Sequence, residues 1–213
     1  MKSLYRGIYM KGIIFDCDGV LFDTLQANSI YYDILRSKIG LPPLTEEEHK
    51  AVYSVTVQES LERFTPQEKL ADIMSALNET PYLETALPYI ELDKELPHLL
   101  QSLKDSDKKI GVFTNRTRSG VLEVLQQFGI YEYFSEIVTC DEVAPKPSAE
   151  GLYLIEKRWG IPLKELVFVG DSMTDYGSAQ QTDVTLVAFR NKSIPTALHI
   201  ERFSELAPIM GVA

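Results

Sequence analysis

Five short apolar runs, rich in β-branched and aromatic residues, constrain the fold of this chain more than any other feature. They are GIIF (12–15), KIGVF (109–113), EIVT (136–139), LVFVG (166–170) and VTLVAF (184–189). Runs that are apolar nearly throughout, rather than alternating, are typical of strands covered on both faces. Helix-like segments separate the runs from the second one onward, and two of these segments end in Gly129 and Gly160, which are C-cap signals. This alternation predicts βαβ units and an α/β fold with a mainly parallel sheet.

The stretch between the first and second runs has a different pattern. Four segments, which begin at Thr24, Leu44, Thr56 and Thr65, place apolar residues at helical spacing, and no convincing strand interrupts them. A crossover between parallel strands needs one helix rather than four. We therefore predict a small helical domain over residues 25–92, inserted into a core domain formed by residues 1–24 and 93–213.

Asp23 and Thr24 lie at the entrance to this insert. Aspartate and threonine commonly accept hydrogen bonds from the first turn of a helix, so we expect both to act as N-capping residues. A direct role in substrate contact or in hinge motion stays open.

The charge balance and the cysteine count restrict the class of partner. The chain of 213 residues has a formal net charge of -10, which disfavours binding to nucleic acid and to anionic membranes. No apolar run approaches the roughly 20 residues of a membrane span. Cys17 and Cys140 are expected to be reduced thiols, although one disulfide is possible. We expect a cytoplasmic protein, monomeric or homodimeric, that acts on a small molecule.

Polar residues follow four of the apolar runs. In an open parallel sheet, ligands bind beyond the carboxyl ends of the strands, close to the point where the strand order reverses. The residues at these positions are Asp16, Asp18 and Gly19 after the first run, Thr114, Asn115 and Arg116 after the second, Lys146 in the loop after the third, and Asp171 and Asp175 after the fourth. We expect these side chains to converge on one crevice.

Each residue type has a chemical reason to be there. Several carboxylates in one crevice are tolerated when a divalent cation lies among them, and hard oxygen ligands suit Mg²⁺. A carboxylate such as Asp16 can also attack phosphorus and form an aspartyl-phosphate. The Thr114 hydroxyl and Lys146 can hold the other phosphoryl oxygens. Asp18 can protonate the leaving oxygen and later activate water, while Gly19 allows a tight turn.

Together these residues form four ordered motifs. They are DCDGVLFDT (16–24), the strand end GVFTN (111–115), the pair KP (146–147) and GDSMTD (170–175). In these motifs the chain resembles the haloacid dehalogenase-like superfamily, in its branch of phosphoglycolate phosphatases and β-phosphoglucomutases. The resemblance covers roughly residues 10–190. It implies a Rossmann-like core sheet and a helical cap inserted after the first motif.

The resemblance also implies roles for individual residues. Asp16, Asp18, Thr114 and Lys146 would be catalytic, and Asp16, Asp171, Asp175 and the backbone carbonyl of Asp18 would bind Mg²⁺. Gly19, Asn115 and Arg116 are candidates for substrate binding, Arg116 because it could meet an anionic group, although a solvated helix start is the alternative. The family's dehalogenases lack an acid at the position of Asp18, so dehalogenation is disfavoured.

The implied function is a Mg²⁺-dependent phosphatase of a small phosphorylated metabolite that works through an aspartyl-phosphate. A phosphosugar mutase of the β-phosphoglucomutase type remains open, because the two reactions share this machinery. A non-catalytic binding protein with the same fold is a third, less favoured interpretation. Where relatives commonly have a second proline after Lys-Pro, this chain has KPSAE, and this departure weakens assignment to a particular subfamily.

Overall fold

The computed structural model describes residues 10–212, so the first nine residues of the predicted core domain, and Ala213, lie outside the described residues. Eight strands are present in this range. They are β1 (Gly12–Phe15), β2 (Phe22–Asp23), β3 (Glu91–Leu92), β4 (Lys109–Thr114), β5 (Glu136–Thr139), β6 (Leu166–Gly170), β7 (Thr185–Phe189) and β8 (Leu198–Ile200).

Ten α-helices accompany the strands in the same range. They are α1 (Leu25–Lys38), α2 (Glu46–Val52), α3 (Val57–Phe64), α4 (Leu70–Asn78), α5 (Tyr82–Ala86), α6 (Leu96–Asp105), α7 (Arg118–Gln127), α8 (Glu150–Trp159), α9 (Met173–Ala179) and α10 (Leu206–Met210). Helix α8 ends at Gly160, which has a left-handed backbone with φ of 63°, as the C-cap signal predicts.

Six strands form one parallel sheet in the order β5-β4-β1-β6-β7-β8. The predicted α/β fold is therefore confirmed, and all five predicted strands are present with bounds within one residue of those expected. From β1 the chain order runs outward in both directions, so the crevice beyond β1 is the switch point at which such sheets bind ligands. The sixth strand, β8, was missed because it is short, lies at the sheet edge and contains a histidine.

Both faces of the sheet are covered, which explains why the strands read as continuous apolar runs. Ile13 packs on one face with the leucines of α6, and Ile14 packs on the other with Phe168 and α8. All three of these side chains are fully buried. Successive side chains of a strand point to opposite faces, so two adjacent isoleucines contribute to two separate clusters.

The predicted insert contains helices α1 to α5, and β2 and β3 lie at its two ends. These strands pair antiparallel, Phe22 opposite Leu92 and Asp23 opposite Glu91, so the chain enters and leaves the insert side by side. The insert has a hydrophobic cluster of its own, which includes Tyr31, Leu35, Val52, Leu61 and Ile73. This arrangement is consistent with a cap, and the division at residues 24 and 92 stays a prediction.

The prediction that Thr24 caps α1 is wrong. Its side chain makes no capping hydrogen bond; the hydroxyl turns inward and donates to Asp18. Asp23 does accept a bond from the Leu25 N–H, at 3.3 Å. A cap would require Thr24 Oγ1 to accept an N–H from the first turn, but the side chain instead points to the charged Asp18 carboxylate and donates a charge-assisted hydrogen bond to it.

Two further expectations concern thiols and membranes. Cys17 and Cys140 are both free, as expected. Over residues 10–212, no helix has both the length and the apolar character needed to cross a bilayer.

Candidate active site

Asp16 is the first residue after β1, and its carboxylate forms a buried ion pair. The Lys146 ammonium lies 2.7 Å from Asp16 Oδ1, and the same oxygen accepts the Cys17 N–H at 2.6 Å. Both bonds fall on one oxygen, so Oδ2 of Asp16 has no hydrogen bond from the described residues. Burial raises the pKa of Asp16 to about 7, against the lowering effect of Lys146. The sequence analysis expects Asp16 and Lys146 to converge on one crevice, and the structure brings the two side chains into contact.

Asp175, at the start of α9, holds Lys146 from the other side. Its Oδ1 accepts from the Lys146 ammonium at 2.6 Å. Its Oδ2 accepts from the backbone N–H groups of Asp171 and Ser172 and from the Ser172 hydroxyl, completing the cap of α9. Both oxygens are thus engaged inside the protein. Burial opposes the charge of Lys146, but the two carboxylates outweigh it and raise the lysine pKa.

Asp171 is the acid without an internal partner. Among residues 10–212, no hydrogen-bond donor reaches its carboxylate. Burial, and then repulsion from Asp175 and Asp16, raise its pKa well above the usual range. A buried carboxylate without a donor is costly unless a cation or a proton neutralises it.

Gly19 explains how Asp171 fits so close to the turn after β1. The glycine has φ of 76°, and a Cβ at this position would lie 1.9 Å from Asp171 Oδ2. The Gly19 N–H donates to the Phe22 carbonyl and therefore donates no hydrogen bond into the crevice. The role of Gly19 is steric: the absence of a Cβ leaves room for the Asp171 carboxylate.

The three acids are close enough to hold one metal ion. Asp16, Asp171 and Asp175 each place a ligand atom within 4.8 Å of the others. The donor set is all carboxylate oxygen, which suits a hard divalent cation. Asp171, which accepts no hydrogen bond from the described residues, and Asp16 fit the direct ligands, whereas Asp175 is already hydrogen-bonded through both oxygens.

Asp18 is held apart from this group by Arg116. The guanidinium donates to both carboxylate oxygens, Nε to Oδ2 and Nη2 to Oδ1, each at 2.7 Å. The Thr24 hydroxyl also donates to Oδ1. Burial would raise the pKa of Asp18, but Arg116 and Thr24 outweigh it and hold the pKa below its usual value.

Thr114 and Asn115 end β4 beside these acids. Thr114 is 1% exposed, and its hydroxyl accepts the Arg116 N–H at 3.2 Å. Asn115 makes a two-way contact with the Lys146 backbone, accepting its N–H at 2.7 Å and donating to its carbonyl at 3.2 Å. It therefore sets the position of the lysine loop.

The insert contributes residues that the sequence did not single out. The carbonyl of Ser54, in the loop between α2 and α3, accepts from the Asn115 amide at 3.1 Å. The hydroxyl of Tyr53 lies 3.3 Å from Thr24 Oγ1. Tyr82 lies under Arg116, with the guanidinium 4.9 Å from the ring centre, and its hydroxyl accepts from Nη2 at 3.1 Å. Tyrosines are frequent throughout the insert, so no local signal marks these two.

A cavity of about 480 Å³ lies between the insert and the carboxyl ends of the strands. The predicted residues that line it are Asp16, Asp18, Thr114, Asn115, Arg116 and Lys146. Gly19 and Asp171 instead line a neighbouring cleft beside the β2–β3 pair. The structure thus brings the predicted residues together at one sheet edge, with the nucleophile candidate lining the cavity beneath the insert.

The sequence matches known proteins over nearly its full length. The model of the haloacid dehalogenase-like hydrolase family matches residues 13–189. A phosphoglycolate phosphatase of Yersinia pseudotuberculosis is 27% identical over 223 residues, covering 95% of this chain and 94% of the relative.

Solved structures share the fold. A hydrolase of this superfamily from Geobacter sulfurreducens, of subfamily IA, is 31% identical, with a TM-score of 0.78 and coverage of 96% and 98% of the two chains. A predicted phosphoglycolate phosphatase from Haemophilus somnus has a TM-score of 0.86 at 20% identity, covering 94% and 98%, and supports the fold alone. The chain belongs to the haloacid dehalogenase-like hydrolase family and is an enzyme of its phosphoglycolate phosphatase branch.

Proposed function

We propose that this enzyme is a Mg²⁺-dependent phosphatase of a small phosphorylated metabolite, with an aspartyl-phosphate formed on Asp16. One observation carries the proposal: Asp16 lines the cavity and is held through Oδ1 by Lys146 and the Cys17 N–H, while its Oδ2 accepts no hydrogen bond from the described residues. A nucleophile that is held through one oxygen keeps the other oriented for in-line attack.

Four side chains have separate roles in the proposed reaction. Oδ2 of Asp16 attacks phosphorus, and the bond from phosphorus to the leaving oxygen breaks. Lys146 and the Thr114 hydroxyl bind the phosphoryl oxygens as their charge is redistributed. Asp18 takes up a proton from solvent before this step and gives it to the leaving oxygen. The resulting carboxylate then accepts a proton from the water that hydrolyses the aspartyl-phosphate.

Asp16 and Asp171 would hold the magnesium ion, with the Asp18 carbonyl as a further ligand. When bound, the ion neutralises charge between the carboxylates and the phosphoryl group. Within residues 10–212, Asp16, Asp18 and Asp175 share two cationic partners, Lys146 and Arg116, and Asp171 forms no ion pair, so the group has an excess of negative charge that suits a divalent cation.

The similarity to phosphoglycolate phosphatases makes 2-phosphoglycolate the first substrate to test. The purified protein, with and without Mg²⁺, is screened against p-nitrophenyl phosphate and a panel of phosphorylated metabolites. We expect release of inorganic phosphate that depends on the ion. Isomerisation of a sugar phosphate that needs a bisphosphate primer would indicate the mutase instead. No turnover of any ester would contradict both enzymatic readings.

A further inference from the structure

Both carboxylate oxygens of Asp18 accept hydrogen bonds in this structure. Its Oδ2 accepts from Arg116 Nε, and its Oδ1 accepts from Arg116 Nη2 and from the Thr24 hydroxyl. A carboxyl group engaged by a guanidinium fork in the plane of both its oxygens cannot at the same time turn to protonate a leaving oxygen. The proposed reaction therefore requires that Arg116 first release Asp18.

The guanidinium is itself accessible to a ligand in the cavity. Arg116 and Lys146 are the two cationic side chains that line the cavity within residues 10–212. Lys146 is committed to Asp16 and Asp175, at 2.7 and 2.6 Å. Arg116 keeps a spare donor group, because Nη1 makes no hydrogen bond with any described residue.

The insert offers no substitute for this guanidinium. Its residues that line the cavity are tyrosines, amides, hydroxyls and apolar side chains, without a lysine or arginine. The ring and hydroxyl of Tyr82 hold the guanidinium from the insert side, and the Tyr82 hydroxyl donates in turn to Asn28 at 2.5 Å. A negatively charged group on the substrate, other than the phosphate, thus has Arg116 as its available partner.

We propose that Arg116 is an exchangeable clamp, which holds Asp18 in the resting enzyme and moves to a carboxylate of the substrate when one binds, so that Asp18 becomes free to face the leaving oxygen. The inference rests on the proposed phosphatase function and names the substrate class as phosphate monoesters that bear a nearby carboxylate. Arg116 is then a positioning residue for Asp18. The exchange makes and breaks only hydrogen bonds, and the covalent steps are those already described.

The exchange is energetically feasible because one arginine–carboxylate ion pair replaces another. A bidentate arginine–carboxylate pair is lost and another is formed, so the two charge-assisted contributions largely cancel. A neutral ester offers no such replacement and must leave Asp18 clamped or break the pair without compensation, at roughly 1.5–3 kcal/mol for each charged hydrogen bond. The carboxylate should therefore raise kcat as well as lower KM, which distinguishes a clamp from a simple binding residue.

The test compares two matched substrates, 2-phosphoglycolate and 2-hydroxyethyl phosphate, which differ in replacing a carboxylate by a hydroxymethyl group. For the native enzyme we expect kcat to be at least about tenfold higher for 2-phosphoglycolate. In Arg116→Gln we expect kcat for 2-hydroxyethyl phosphate to rise about threefold or more, and the preference for the carboxylate to disappear. Arg118→Gln, which removes an arginine outside the cavity, should behave like the native enzyme.

Equal kcat values for the two esters in the native enzyme would overturn the proposal. A fall in kcat by the same factor for both esters in Arg116→Gln would also overturn it, because Arg116 would then support Asp18 rather than withhold it. If Arg116→Gln does not fold, the native enzyme is assayed with methyl phosphate and added acetate. Acetate should raise kcat with methyl phosphate, and pure inhibition would contradict the clamp.

A control with p-nitrophenyl phosphate separates this inference from the proposed function. Its leaving phenolate needs little protonation, so the rate of the phenolate burst, which precedes the hydrolysis step assisted by Asp18, should hardly depend on whether Asp18 is clamped. Similar burst rates for the native enzyme and Arg116→Gln on this ester, together with no preference between the matched pair, would contradict the clamp and leave the proposed phosphatase function unaffected. No hydrolysis of p-nitrophenyl phosphate by the native enzyme would remove both.

Discussion

Asp16 and Asp18, the two aspartates proposed to be catalytic, stand two positions apart in the chain, yet they lie in different kinds of surroundings. Asp16 belongs to a group formed by core elements, namely the end of β1, the loop after β5 and the first turn of α9, in which Lys146 bonds to both Asp16 and Asp175. Asp18 belongs to a group that crosses between core and insert, through Arg116 and Thr24 to Tyr82 and Tyr53. In the first group one oxygen of Asp16 accepts no hydrogen bond from the described residues, whereas in the second both oxygens of Asp18 accept hydrogen bonds.

The difference follows from which elements supply the partners. Both hydrogen bonds to Asp16 come from the core, from Lys146 and the Cys17 N–H. The two partners of Asp18, Arg116 and Thr24, contact two tyrosines of the insert, which is joined to the core by two short strands. A movement of the insert would therefore change the surroundings of Asp18 more directly than those of Asp16, as in enzymes whose lids complete the site.

The largest effect is expected from Asp16→Asn. Removing the nucleophile should lower kcat by at least about 10⁴-fold with every ester, whatever its leaving group, while Mg²⁺-dependent ligand binding survives. Steady-state rates with 2-phosphoglycolate and p-nitrophenyl phosphate measure this. Asp72→Asn, at an exposed helix position, is the matched control. Substantial turnover in Asp16→Asn would contradict the aspartyl-phosphate mechanism.

Asp18→Asn should discriminate between leaving groups. We expect kcat to fall by about 10²–10⁴-fold with alkyl phosphates, because these need a proton on the leaving oxygen. Hydrolysis of p-nitrophenyl phosphate should fall much less at the step that releases the phenolate, which rapid-mixing measurement of the phenolate burst detects. Equal losses at that step for both classes would mean that Asp18 is not the acid.

Lys146→Met tests the buried charges around Asp16. It leaves Asp16 and Asp175 buried without their shared cation, so we expect about 3–5 kcal/mol less free energy of unfolding, measured in urea without metal. The control Lys69→Met removes an exposed pair with Asp72, which should change stability by less than about 1 kcal/mol. Similar losses for the two variants would argue against a tightly coupled group at Asp16.

The smallest effect is expected from a pair of glycine substitutions. Gly19→Ala places a Cβ against Asp171 at a φ of 76°, whereas Gly129→Ala has a similar φ of 69° and no atom within 4 Å. Both should lose about 1–2 kcal/mol of stability from the left-handed backbone. Gly19→Ala alone should also weaken Mg²⁺ binding, by about tenfold or more in calorimetric titration. Equal Mg²⁺ affinity in the two variants would show that Asp171 is not a ligand.

Most of the sheet and the positions of the acids could be predicted from the chain because they rest on local pattern. Apolar runs give the strands, and the residues that follow them must meet at one edge when the strands are parallel. The Asp16–Lys146 contact, between residues 130 positions apart, follows from this rule. The edge strand β8 was not predicted because three residues, two of them half-buried and one buried, leave too little periodicity.

The roles of Thr24, Tyr53 and Tyr82 could not be predicted, because each depends on where the insert lies over the core. Thr24 has the sequence context of a helix cap, and only the proximity of a buried carboxylate redirects its hydroxyl. Arg116 was expected to face an anion, and the structure shows that the anion it meets is the protein's own Asp18.

By itself the sequence determined the α/β core, the helical insert and the convergence of acids and lysine at the strand ends, because the order and spacing of apolar and polar residues along parallel strands are sufficient to dictate them. Only the tertiary structure decided which carboxylate is left free and which is clamped. That choice depends on distances of a few ångströms between side chains of different elements, where a guanidinium reaches Asp18 and an ammonium reaches Asp16.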